Sequence, residues 1–213
     1  LCVQKHQPAG CLSITLYGRR REPDYNFTNM SVILNKFRDH RVSGSTEILI
    51  LGTFSPDIPG APDFFFGRHR NYLWHMLPKC FGHLPLKDAP LAKKLEFMEE
   101  HHLDFADLIA EIEFGEEEEQ HQDEDLYDGH VHRWNDVIQL IDSLPALKAV
   151  YFTRKTFNGI PKMKQQMKMI GKHCQDKGIR ICKLDSPARH YSDEKQQQWI
   201  DTMILQRTCL RMN

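Results

Sequence analysis

Two stretches gather side chains able to act on a flat, polar ligand. The first, LGTFSPDIPGAPDFFFGRHRN, sets Gly52, Thr53, Phe54, Ser55 and Asp57 ahead of three phenylalanines ending at Phe66, the basic cluster Arg68-His69-Arg70, and Asn71. The second, DSPARHYS, holds Ser186, Arg189 and His190. An aromatic ring offers a stacking face, a primary amide both donates and accepts, and a carboxylate can orient water or offset a developing positive charge. Each residue also has an ordinary reading. Phe54 suits a core, Asn71 a helix N-cap, Asp57 a turn before Ile58-Pro59-Gly60, and His190 a solvent-facing site, while the basic cluster suits a plain charged loop.

The elements around these stretches decide whether they meet. Residues 47–51, EILIL, read as a buried parallel strand closed by Gly52, and Tyr72, Trp74 and Leu77 lie on the helix after the loop. Leu91, Leu95 and Met98 stripe a surface helix from Ala89 to His101, and DFADLI (104–109) reads as a second strand. Trp134, Val137, Ile138, Ile141 and Leu144 predict a helix, AVYFT (149–153) a third strand, and Arg154-Lys155 a polar turn after it. Pro161 fits the first turn of a helix striped by Met163, Met167, Ile170 and Cys174, with Gly178 ending it before a fourth strand, Ile179 to Leu184. Ser192 caps the last helix, with Asp193 and Glu194 in its first turn and Trp199 and Met203 facing inward. Alternating strands and helices predict an α/β fold, a three-layer αβα sandwich around a central four-stranded parallel sheet. In such a fold ligands sit beyond the carboxyl ends of the strands, where both loops emerge.

Composition narrows the class. The 213 residues are 40% hydrophobic, enough for one core, and no run of about 18 apolar residues would span a membrane. Residues 1–29 read as an extension lacking a signal-peptide run, so the expected location is intracellular, and a natural start at Met30, ahead of the amphipathic SVILNKFRDH, is plausible. The core domain then covers 30–213, and the sequons at Asn26 and Asn29 read as chance matches. Six cysteines without a C-x-x-C pair predict free thiols. The net charge of −1 hides an acidic loop at 111–128 carrying 10 of the 29 acids. The remaining 19 acids face all 28 Lys and Arg, leaving +9, a balance compatible with a polyanion. His130-x-His132 beside Asp128 is either a metal pair or, as expected of an acidic loop, two surface histidines. No P-loop or G-x-G-x-x-G is present, so no nucleotide cofactor is expected, and without a standard ligand spacing no metal is expected either.

Three motifs carry a resemblance. LGTFSPDIPG stands where the uracil-DNA glycosylase superfamily has its Gly-x-x-Pro-Gly type first motif, and FFFGRHRNYLW is similar to the Asn-x-Phe-Trp segment of its mismatch-specific uracil/thymine and deoxyinosine branches. SPARHYS resembles the second motif loop of the thymine-DNA glycosylase branch, and the three agree in order and spacing over roughly residues 45 to 206. The resemblance implies a monomer that flips a deaminated or mismatched base out of DNA and hydrolyses its N-glycosidic bond. Asn71, Asp57 and His190 would be catalytic, Gly52, Thr53, Phe54, Ser55 and Phe66 would hold the base, and Arg68, Arg70, Ser186 and Arg189 would grip DNA, Arg189 as the wedge in the vacated gap. Where those enzymes carry an activating Asp or Asn close to the glycine, this chain has Thr53, Phe54 and Ser55. The rival readings are a non-catalytic base-sensing module on the same fold, for which that substitution speaks, and a nucleosidase-like enzyme acting on a small molecule.

Overall fold

The structure is a computed structural model that describes residues 30–115, 133–157, 159–160 and 162–204. Its centre is a parallel sheet in the order β3-β2-β6-β7, formed by β2 (Ile48–Gly52), β3 (Leu103–Asp107), β6 (Ala149–Phe152) and β7 (Arg180–Lys183). Register runs Ile48 opposite Leu103 and Ala149, and Ala149 opposite Arg180, so the four strands end almost level. These are short apolar runs because a parallel sheet is covered on both faces.

Side-chain alternation divides the core in two. Leu49, Leu51, Val150 and Phe152 pack with α3 (Val137–Asp142) and α4 (Met163–Asp176). Ile50, Phe105, Ala149 and Tyr151 pack with α1 (Leu73–Cys80), α2 (Leu91–Glu100) and α5 (Asp193–Met203). The result is the three-layer α/β sandwich. The methionine stripe of α4 is core, as its spacing predicts, and Gln196 of α5 donates to the Met76 carbonyl at 3.2 Å, tying α5 to α1. Ser192 caps α5 by accepting from the Lys195 amide at 3.2 Å.

A second sheet departs from expectation. β1 (Met30–Leu34), β4 (Ile109–Gly115) and β5 (Arg133–Trp134) form an antiparallel ribbon in the order β1-β4-β5. DFADLI therefore spans the end of one strand and the start of another in a different sheet. The acidic run begins inside β4, where Glu111 accepts from Arg133 at 2.7 Å, so 111–115 is strand and not loop. Trp134 pairs with Ile109 instead of opening a helix, because Asp136, the N-cap accepting from Gln139 N–H at 2.9 Å, starts α3 after it. Pro161, the His130/His132 pair and the rest of the acidic run lie outside the described residues, as do residues 1–29. Cys80 and Cys174 are buried free thiols, whereas Cys182 is disulfide-bonded, a departure that spacing in the sequence cannot reveal. Among the described residues no helix is long and apolar enough to cross a membrane.

Candidate active site

A cleft of about 730 Å³ opens at the carboxyl ends of the parallel strands, the size of a pocket for a drug-sized ligand. Thr53, Phe54 and Ser55 after β2, Asp107 ending β3, Thr153 after β6 and Asp185 to His190 after β7 all line it. Phe66, Arg68 and Asn71 complete one wall. Of the three phenylalanines, Phe65 is core, and its carbonyl accepts from the Trp74 indole at 2.8 Å. That bond fixes the loop, and Phe66 is left at the cleft with its ring 5.6 Å from Phe105.

The cleft contains a carboxylate that the motifs do not point to. Asp107 is 5% exposed, and its Oδ2 accepts from Asn35 Nδ2 at 2.9 Å. Burial pushes its pKa up, against hydrogen bonds from Asn35 and Ser55 that pull it down. Gly52 explains how it fits. A Cβ on Gly52 would stand 2.2 Å from Asp107 Oδ1 and 3.2 Å from Phe66 Cζ, so only glycine lets carboxylate and ring approach the strand end together. In the sequence, Asp107 reads as one polar residue at a strand exit; its meaning depends on Gly52 and Asn35, which are remote in the chain.

Asn71 is not the N-cap foreseen for it: that position of α1 is held by Tyr72, and Asn71 stands one residue earlier. Its Oδ1 accepts from the Leu73 N–H at 3.0 Å, satisfying the first amide of α1, while the residue lines the cleft. Nδ2 makes no hydrogen bond among the described residues, so these donors are what the amide can offer a ligand. The two loops are joined here by backbone. Tyr72 N–H donates to the Pro187 carbonyl and Arg189 N–H to the Arg70 carbonyl, each at 2.8 Å, around a bridge between Asn71 and Ala188. Arg189 sits at φ 75° and Phe66 at φ 55°, left-handed conformations that cost a non-glycine residue energy and here aim two cleft residues.

Three of the expected residues do not line the cleft: Gly52, which lies behind it, Arg70, whose carbonyl serves the clip, and Asp57. The last is a correction to the pocket carboxylate. Asp57 N–H donates to Leu34 and Pro56 bridges Asn35, which pins this segment to the end of β1 and turns the carboxylate to Arg38 at 2.8 Å. Thr53, Phe54, Ser55, Phe66, Arg68, Ser186, Arg189 and His190 line the cleft. Ser186 Oγ accepts from the Ala188 amide at 3.3 Å and the His190 carbonyl accepts from Lys195 at 2.7 Å, holding the second loop's shape. The rim is cationic: Lys36, Arg68, Arg154, Lys155, Arg189 and Lys195 stand against Asp107, Asp185 and Glu194. Lys155 is held by Asp185 at 2.6 Å.

No protein-family model and no curated protein matches the chain. Among solved structures, it is similar to the solution structure of a candidate uracil DNA glycosylase from Methanosarcina acetivorans, at a TM-score of 0.54 and 19% identity, over 75% of this chain and 89% of that one. The two share a fold. At that identity the likeness speaks for architecture, and the chemistry must be argued from the cleft.

Proposed function

We propose that this protein is a DNA glycosylase that removes a deaminated or mismatched base, such as uracil or hypoxanthine, by hydrolysing the N-glycosidic bond of a flipped nucleotide. The observation that carries the reading is the clip between the two loops, which sets Asn71 and Arg189 at one cleft lined by Phe54, Phe66 and a buried carboxyl. A base turned into the cleft stacks on an aromatic face, offsetting a flipping cost of a few kcal/mol. Asp107, with its neutral form favoured by burial, offers both donor and acceptor to the base edge. Asn71 Nδ2 positions the attacking water, and His190 stabilises the negative charge gained by the departing base. Arg189 fills the gap in the duplex while Ser186 and Arg68 hold phosphate oxygens. Asp57 has no step in this scheme, because it faces Arg38 outside the cleft.

The test is excision from fluorescent duplexes bearing uracil, hypoxanthine, xanthine or a G·T mismatch, with Asn71→Ala alongside. Cleavage by the wild type and a loss of at least about 100-fold in the variant are expected, the scale of general acid–base and water-positioning groups. The stability of the variant should fall by only ~0.5–2 kcal/mol, the scale of one side-chain bond to an amide at a helix start. No cleavage of any substrate together with salt-sensitive DNA binding would instead identify a base-sensing module.

A further inference from the structure

The connection between α1 and α2 meets the end of α2 at a cluster remote from the cleft lining. His83 lies in the connection, Glu100 is the last residue of α2, and His101 is its C-cap. The two imidazoles turn the same atom toward each other, Nε2 to Nε2 at 2.9 Å, and Glu100 Oε1 is 3.7 Å from the His83 Nε2. One ligand atom from each residue falls within 4.8 Å of the others. Tetrahedral Zn²⁺ with nitrogen bonds of about 2.0–2.1 Å requires ligand atoms roughly 3.3 Å apart, so the ring nitrogens need to separate by only ~0.4 Å.

We propose that His83, Glu100 and His101 form a site for a divalent transition metal, with Zn²⁺ the best match, which clamps the α1–α2 connection to the end of α2. The surroundings suit this role. The His101 ring lies 4.3 Å from Phe81 and 4.6 Å from Phe97, and the His83 ring meets Phe97 edge-on at 5.4 Å, so aromatic walls restrain both imidazoles. The His83 amide donates to the Pro78 carbonyl at 3.0 Å, fixing its backbone. A helix C-terminus carries partial negative charge, and α2 has no basic residue in its last turn to occupy that field. Two nitrogens and one oxygen suit zinc, leave room for a water, and do not suit the all-oxygen preference of Ca²⁺ or Mg²⁺.

The experiment uses the full chain stripped with a chelator and titrated with Co²⁺ alone, followed by visible absorbance and then by displacement with Zn²⁺. One equivalent should bind with the intense bands of a four- or five-coordinate ion. The double variant His83→Ala/His101→Ala should lose that equivalent, and each single variant should weaken it at least about tenfold, the scale that even supporting residues of metal sites carry. His102→Asn is the control, since residue 102 has φ 49°, which Asn tolerates, and it should bind as the wild type does. A readout on the unaltered chain guards against a variant that fails to fold: substoichiometric Zn²⁺ should shift the ring protons of His83 and His101 before those of any other histidine. Undiminished Co²⁺ binding by a folded double variant, or Zn²⁺ shifts confined to other histidines, overturns the proposal. Base excision is not a readout here, so this outcome is independent of the proposed chemistry.

Discussion

Asp107 shows how a single side chain can work against the fold that houses it. Burial raises its pKa, so the native state favours the protonated carboxyl. The stability it contributes is fully present below its unfolded pKa of about 4 and is lost as pH rises through the higher folded value. Asp107→Asn, neutral at every pH, should therefore melt above the wild type at neutral pH, with the two curves converging below about pH 4. Thermal melts across that range check it, and superimposable curves at every pH would mean that the carboxylate ionises without penalty. Little of this was legible in the sequence. Phe54, Phe66 and Asn71 stand out in the sequence as aromatic and amide types close after a strand-ending glycine, and the structure brings all three to the cleft. Asp57 drew attention by proximity to the motif, whereas its orientation was decided by Arg38 and by Leu34, which no local pattern reveals.

Among elements, the four parallel strands could be read because burial on both faces makes each a short apolar run. The antiparallel ribbon could not. β1 leaves Val32 and Leu34 substantially exposed, β5 has two residues, and β4 pairs across some eighty positions with β1, so neither periodicity nor neighbourhood marks them. The loop after β7 shows the same dependence on partners, since Arg189 holds φ 75° through its backbone bond to Arg70. Arg189→Gly should relieve a left-handed penalty of roughly 1–2 kcal/mol, partly cancelled by the freedom glycine has in the unfolded chain. The expected outcome is a stability unchanged or raised by up to ~1 kcal/mol, with excision from duplex DNA falling more than from single strands. Denaturant melts beside paired excision assays measure both, and equal losses on the two substrates would remove Arg189 from the wedge role.

At the scale of the molecule, the near-neutral net charge conceals an uneven distribution. The acids are concentrated at 111–128, and the cleft rim is cationic. If rim residues such as Arg68, Arg154, Arg189 and Lys195 neutralise about four phosphates, affinity for duplex should fall roughly a hundredfold between 50 and 200 mM salt. Fluorescence anisotropy across that range gives the slope, and a flat response would favour a small-molecule substrate. The clip between the loops also bears on biosynthesis. It joins Asn71 to Ala188, residues separated by more than half the chain, and the second loop follows the last strand of the sheet. A nascent chain on the ribosome therefore has no complete cleft until β7 and the segment after it have emerged, so truncated translation products would carry most of the fold's core and only one wall of the cleft.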